Sequence, residues 1–193
     1  MVLIYKKIIN TIIFVSFIYS VTIIIPDDYS TIQEGINIAS SGDTVSVMSG
    51  TYAEELIIDK SITLIGESTT IIDASQFTNG IIIGSSGDCS GDNCVCNTED
   101  YISDVDINGF EISGGLNTMS GIQILPCSQN ISITNNVIHG MRAPNSTSDI
   151  QASYGVLSWG NSVTSLPTNI NISNNEIYDT RAIGISLGTF SNG

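Results

Sequence analysis

The chain has 193 residues, with 19 acidic side chains against 5 basic ones and a formal net charge of −14. That balance excludes a phosphate backbone or an anionic membrane surface as a partner, because both require a basic footprint. Ile, Ser, Thr, Asn and Gly dominate and only 12% of residues are charged, which excludes disorder; strong helix formers are scarce, which excludes a helical fold.

Residues 1–20 have the form of a secretory signal: Lys6-Lys7, then an apolar run from Ile8 to Ile18, then the small residue Ser20. The apolar character continues through Val21–Ile25, so an uncleaved anchor is the competing reading. Asn10, Thr11, Ser16 and Ser20 interrupt it and favour cleavage. Without that segment, Lys60, Arg142 and Arg181 face 19 acids, a net charge of −16. Sequons at Asn130, Asn145 and Asn171 agree with export. The expected location is therefore secreted or cell-surface, periplasmic in a Gram-negative cell, with no stable membrane span in the mature chain.

Residues 21–193 are expected to form one domain, with a cap and first strands over 21–56 and repeated turns over 57–193. Val21–Pro26 alternates as a strand. Residues 27–42 then carry a short helix, with Ser30/Gln33 or Thr31/Glu34 as its capping box, Ile32, Ile36 and Ala39 on one face, and Gly42 as the stop. Thr44–Met48, Leu56–Ile58 and Ile62–Ile65 are the next strands.

Cys89, Cys94 and Cys96 lie in a polar loop rich in Gly and Asp; Cys127 follows later. In an exported chain the even count points to two disulfides. A Cys94–Cys96 ring would be strained, so two connectivities stay open: Cys89–Cys94 with Cys96–Cys127, or Cys89–Cys96 with Cys94–Cys127. The spacing is not that of a zinc knuckle, and no metal site is expected from it.

An internal repeat follows. Asn130-Ile-Ser-Ile-Thr-Asn-Asn-Val-Ile-His-Gly140 aligns without gaps on Asn169-Ile-Asn-Ile-Ser-Asn-Asn-Glu-Ile-Tyr-Asp179, and Ile107–Gly114 is a third copy. Ile131, Ile133, Ile138, Ile170, Ile172 and Ile177 should face inward. The Asn pairs 135–136 and 174–175 should occupy corners, where Asn tolerates left-handed backbone and can stack as a hydrogen-bonded ladder. Each copy leads into a strand opening near Gly: Gly121–Leu125, Tyr154–Trp159 and Ala182–Leu187. Three short strands per turn predict an all-β fold, a right-handed parallel β-helix with a short N-terminal capping helix. The chain ends just after a strand without a closing cap, so it has the look of an N-terminal fragment.

The segments Tyr29–Ile36, Ser41–Tyr52 and Ile62–Gly66, together with the later repeats, resemble pectin-lyase-like β-helix proteins, including pectin methylesterases and exported repeat proteins. The resemblance covers nearly all of the mature chain and implies the fold more than an activity. The family's motifs are missing: there is no Gln-Asp-Thr strand motif, no Gly-His-Gly with an Asp pair, and Tyr154-Gly-Val-Leu-Ser-Trp159 keeps only the first two positions of an epimerase motif.

For the surface, the expectation is an outward column holding Gln123, Leu157, Trp159 and Ser186, with Tyr154 on the same strand, as a ligand face. Trp159, the only tryptophan, would stack on a sugar ring. Ser113, His139 and Tyr178 should form a second outward column, with His139 and Tyr178 as further ligand-binding candidates. Two functions stay open. One is a non-catalytic carbohydrate-binding or structural module, its partner a polysaccharide or cell-envelope glycan, with no cofactor apart from a bridging calcium. The other is a polysaccharide lyase or glycoside hydrolase whose site is incomplete in these residues.

Overall fold

The computed structural model describes residues 19–84, 88–90, 93–96, 101–143, 153–160 and 166–189. The chain begins with β1 (Thr22–Ile25), helix α1 (Ile32–Ile38), β2 (Thr44–Val47), β3 (Gly50–Tyr52) and β4 (Leu56–Ile58). Next come β5 (Thr63–Asp73), β6 (Asn79–Ile83), β7 (Asp88–Ser90), β8 (Asn93–Val95), β9 (Ile102–Ser113) and β10 (Ser120–Ile124). They are followed by β11 (Ser128–Thr134), β12 (Val137–His139), β13 (Tyr154–Gly160), β14 (Thr168–Ser173), β15 (Glu176–Tyr178) and β16 (Ile183–Thr189).

One sheet runs β1-β2-β5-β9-β11-β14, with β3, β12 and β15 beside it; a second runs β4-β6-β10-β13-β16. The chain visits the two alternately, β5 then β6, β9 then β10, β11–β12 then β13, β14–β15 then β16. Each return to a sheet therefore lays down a parallel neighbour, which a hairpin cannot do. All pairings in both sheets are parallel, as an antiparallel sandwich would not allow. Among the described residues the antiparallel pair is β7–β8, outside these sheets. The fold is mostly β, and its topology fits an all-β solenoid.

Alternation along each strand gives the core. Val45, Leu64, Ile107, Ile133 and Ile172 are register partners in one column; Ile72, Ile112, Ile138 and Ile177 form another; Leu56, Ile81, Ile122, Val156 and Ile185 form a third on the opposite sheet. Ile107, Ile112, Ile133 and Ile138 are fully buried. Each such side chain contributes about 1.5–3 kcal/mol relative to exposure. On the last described turn the columns end half-buried or exposed, with Ile183, Ile185 and Leu187 each more than 40% accessible.

Three strands of the second sheet, β6, β10 and β13, carry Gly80, Gly121 and Gly155 at their second positions. A Cβ at each would come within 2.4–2.6 Å of the Cγ2 of Ile112, Ile138 and Ile177 respectively. Each glycine thus makes room for an isoleucine of the following turn. The regular glycine visible in the sequence marks a close approach between turns.

At the start, α1 packs on β1, β2 and β4. Of the two capping boxes the sequence offers, Thr31/Glu34 forms: Glu34 N donates to Thr31 Oγ1 (3.1 Å) and Thr31 N donates to Glu34 Oε2 (3.3 Å). The Ser30 hydroxyl hydrogen-bonds the same carboxylate and is the main reason that the Glu34 pKa is lowered. Glu54 accepts from Ile32 N and Gln33 N, both at 3.0 Å, so with the capping box each of the first turn's donors has a partner. The helix is shorter than expected. Residues 26–28 form a turn, in which Asp28 Oδ2 accepts from Ile24 N (2.7 Å). The helix stops at Ile38 because Ala39 turns extended (ψ 143°).

Candidate functional site

The outward column expected from the repeat exists. Asp73, Ser113, His139 and Tyr178 are register partners on β5, β9, β12 and β15. Their direction follows from the corner before them. Gly109 (φ 85°), Asn135 (φ 56°) and Asn174 (φ 56°) take left-handed backbone and turn the chain. The next isoleucine then points inward, and the residue after it points outward. Parallel strands repeat at ~4.8 Å, so two rings in one column can lie face to face. The His139 and Tyr178 centroids are 4.9 Å apart and the planes differ by 4°.

Glu111 is the preceding outward position on β9, where it pairs with Val137 and then Glu176. Its Oε1 lies 3.0 Å from His139 Nε2. In neutral His139 this assigns the ring hydrogen to Nε2, donating to the carboxylate, and leaves Nδ1 as the acceptor. The His139 side chain is 22% exposed and Glu111 42%. At the next corner Asp179 (φ 51°) accepts from Arg142 Nη2. The face is therefore a two-ring platform with Tyr178 outermost, bordered by carboxylates, with Arg142 beside it already paired. Such a surface offers a flat ring for stacking and several acceptors for hydroxyl groups. Glu111 oriented on His139 is also a general acid–base pair in kind.

The other expected site residues divide. Gln123, Leu157 and Ser186 do share a column on β10, β13 and β16. However, Gln123 is 8% and Leu157 4% exposed, so that column is largely covered. Tyr154 is not on the outward face with them. It has the parity of inward-facing Val156, pairs with Ser120 and Ile183, and is buried. The Trp159 backbone pairs with Gly188; its side chain lies outside the described residues. The structure therefore joins His139 and Tyr178 on one sheet and places Gln123, Ser186 and Tyr154 on the other. Glu111 and the Arg142–Asp179 pair were missed. The signal for Glu111 was available, since it lies two residues before Ser113 on the same alternating face.

Cys96 and Cys127 form a disulfide across 31 residues, with Cα atoms 5.5 Å apart, which excludes the Cys94–Cys127 connectivity. The β7–β8 register sets Cys89 opposite Cys94, as the retained alternative requires. Asn130 and Asn171 are exposed. The amide of Asn130 is engaged, donating to Asp104 Oδ1 (3.0 Å) and accepting from Asn169 Nδ2 (2.7 Å). Asn145, the proposed leader up to residue 18 and the loop residues 144–152 and 161–165 lie outside the described residues.

Among the described residues no group of three or more His, Cys, Asp or Glu side chains converges as a metal shell, and no helix is long and apolar enough to cross a membrane. No protein-family model matches the chain, and neither a curated protein nor a solved structure matches it. The functional reading therefore rests on the register of these strands and on the His139–Tyr178 platform they build.

Proposed function

We propose that this chain is an exported or cell-surface, right-handed parallel β-helix repeat protein of the pectin-lyase-like kind that binds carbohydrate without transforming it. The observation that carries the binding part is the His139–Tyr178 stack, an aromatic step on an outward column flanked by Glu111 and Asp179. Aromatic faces take the apolar face of a sugar ring, and carboxylates accept its hydroxyls. Neutral or cationic glycans fit best, because a charge of −14 on the whole chain repels a polyanion unless calcium bridges the two. Relative to the sequence expectation, the ligand face moves from the Gln123 column to the opposite sheet.

A second reading, a lyase or hydrolase, is favoured by one feature, the Glu111–His139 pair. Glycan-array binding with and without calcium, repeated on Tyr178→Ala, tests the first. The expected result is binding to neutral glycans that falls about tenfold or more in the variant. Binding unchanged in Tyr178→Ala removes the platform from the site. Release of reducing ends or unsaturated products, abolished by His139→Gln, would establish the enzyme reading instead.

A further inference from the structure

Asp43, between α1 and β2, is 7% exposed, and its two oxygens serve different main-chain donors. Oδ1 accepts from Val21 N and Oδ2 from Ser40 N, each at 2.8 Å. Those bonds hold its pKa below the usual carboxylate value, Val21's contribution first, against a smaller opposing effect of desolvation. Val21 is also pinned through its carbonyl, which accepts from Thr44 N at 2.9 Å. Tyr19 and Ser20, just before it, are exposed.

The charges around this point are accounted for. Asp28 is committed to Ile24 N, and Tyr29 follows it directly. Lys60 donates to the Asn37 and Ala39 carbonyls and sits 3.7 Å from Asp59. Val21, Asp28, Tyr29, Ile38 and Asp43 line a groove of about 520 Å³ beside β1. Among the described residues Asp43 has no salt bridge. A nearly buried carboxylate, fixed by two main-chain donors, therefore faces an amide nitrogen that carries no charge.

We propose that the Ser20–Val21 peptide bond is a processing site, and that Asp43 is a built-in receptor for the amino terminus that cleavage creates. In the cut, catalysed by a peptidase, the C–N bond breaks. Water gives its hydroxyl to the Ser20 carbonyl carbon and a proton to the Val21 nitrogen. At neutral pH that nitrogen takes a second proton from solvent and becomes an ammonium. It then sits within hydrogen-bond reach of Asp43 Oδ1, where a charge-assisted bond replaces an amide one. This deepens the export part of the proposed function and is independent of the glycan part.

The test has two readouts. The exported protein is first characterised by intact mass and end sequencing. The expected first residue is Val21, and a different one overturns the proposal. Thermal melts are then compared for this processed protein and for the full uncut chain. The ion pair raises the amine's folded-state pKa above its ordinary ~8, so its stabilisation is complete below pH ~8 and lost as pH rises through the raised value. At pH 6 the processed form should therefore melt higher by roughly 2–4 °C, and this advantage should vanish by pH 10. In Asp43→Asn the pH-dependent advantage should be absent. An equal advantage at both pH values, no advantage at pH 6, or a pH-dependent advantage that survives in Asp43→Asn each overturns the proposal. If Asp43→Asn does not fold, the two-pH comparison on the unsubstituted chain decides.

Discussion

Two amide ladders climb the first sheet and use the same residue type in different ways. At the corner, Asn136 and Asn175 continue a column that starts with Thr70 and Phe110. Asn136 Oδ1 accepts from Phe110 N (3.0 Å), and its Nδ2 donates to Ile107 O (3.0 Å); Asn175 repeats this on Asn136 N (2.9 Å) and Ile133 O (2.8 Å). A few residues earlier along each strand, Asn169 donates to Asn130 and Asn130 to Asp104, all three in left-handed backbone. The first ladder is mostly enclosed, Asn136 being 1% exposed, and satisfies main-chain groups that the turn would otherwise strand. The second is exposed and joins side chains that water could serve equally well. A ladder matters in proportion to the main-chain groups it saves from burial without a partner; how many amides it stacks is secondary.

The sharpest way to break this contrast is Asn136→Ala. It strands Phe110 N–H and Ile107 C=O in a dry corner, and should cost about 2–5 kcal/mol, read as a lower denaturant midpoint at unchanged slope. Asn175→Ala removes the equivalent pair of bonds one turn later. That site is only half-buried and water can replace the amide, so the loss should be about 1–2 kcal/mol. Asn135 separates backbone from side chain. Asn135→Ala should lose about 1–2 kcal/mol because alanine resists positive φ, while Asn135→Gly should melt within a degree or two of the unsubstituted protein. The smallest effect belongs to the exposed ladder. Asn130→Gly keeps the left-handed backbone and deletes both amide bonds, yet should change stability by about 0.5 kcal/mol or less. A large loss there, comparable to Asn136→Ala, would erase the distinction between the ladders.

Much of this was legible in the sequence. The Asn-Asn corners, the inward Ile columns, the Thr31/Glu34 cap and the His139–Tyr178 column all follow from local rules: alternation, left-handed tolerance and capping chemistry. These rules need only a few adjacent residues. The exposed Asp104–Asn130–Asn169 ladder was half legible, since Asn130 and Asn169 open their aligned copies while Asp104 lies just before the recognised start of the third. Gln123 and Tyr154 were misjudged for different reasons. Gln123 has the outward parity expected of it but is covered from outside its strand, and nothing in Gly121-Ile-Gln-Ile reveals a cover. Tyr154 opens β13 on the inward parity, where Ser120 and Asn79 precede it in the column, and sharing a strand with Trp159 does not give it Trp159's face. Glu111 does not follow from column alignment, because its contact to His139 is a diagonal.

The glycine steps carry a consequence for how the molecule comes apart. Gly121 admits Ile138 and Gly155 admits Ile177, so each turn keeps a notch for a tooth of the next. In a linear array the free energy divides into what each unit holds alone and what it shares with its neighbour, and the second part sets the cooperativity. The notches belong to the shared part. Filling one pushes on the backbone of the neighbouring strand as well as on the isoleucine, and so weakens the coupling between the two units. The turns before the filled notch and those after it would then melt as separate blocks, and a single transition would divide into two. The Gly column is in this sense the setting of the stack's correlation length: the number of turns that must fold, or unfold, as one.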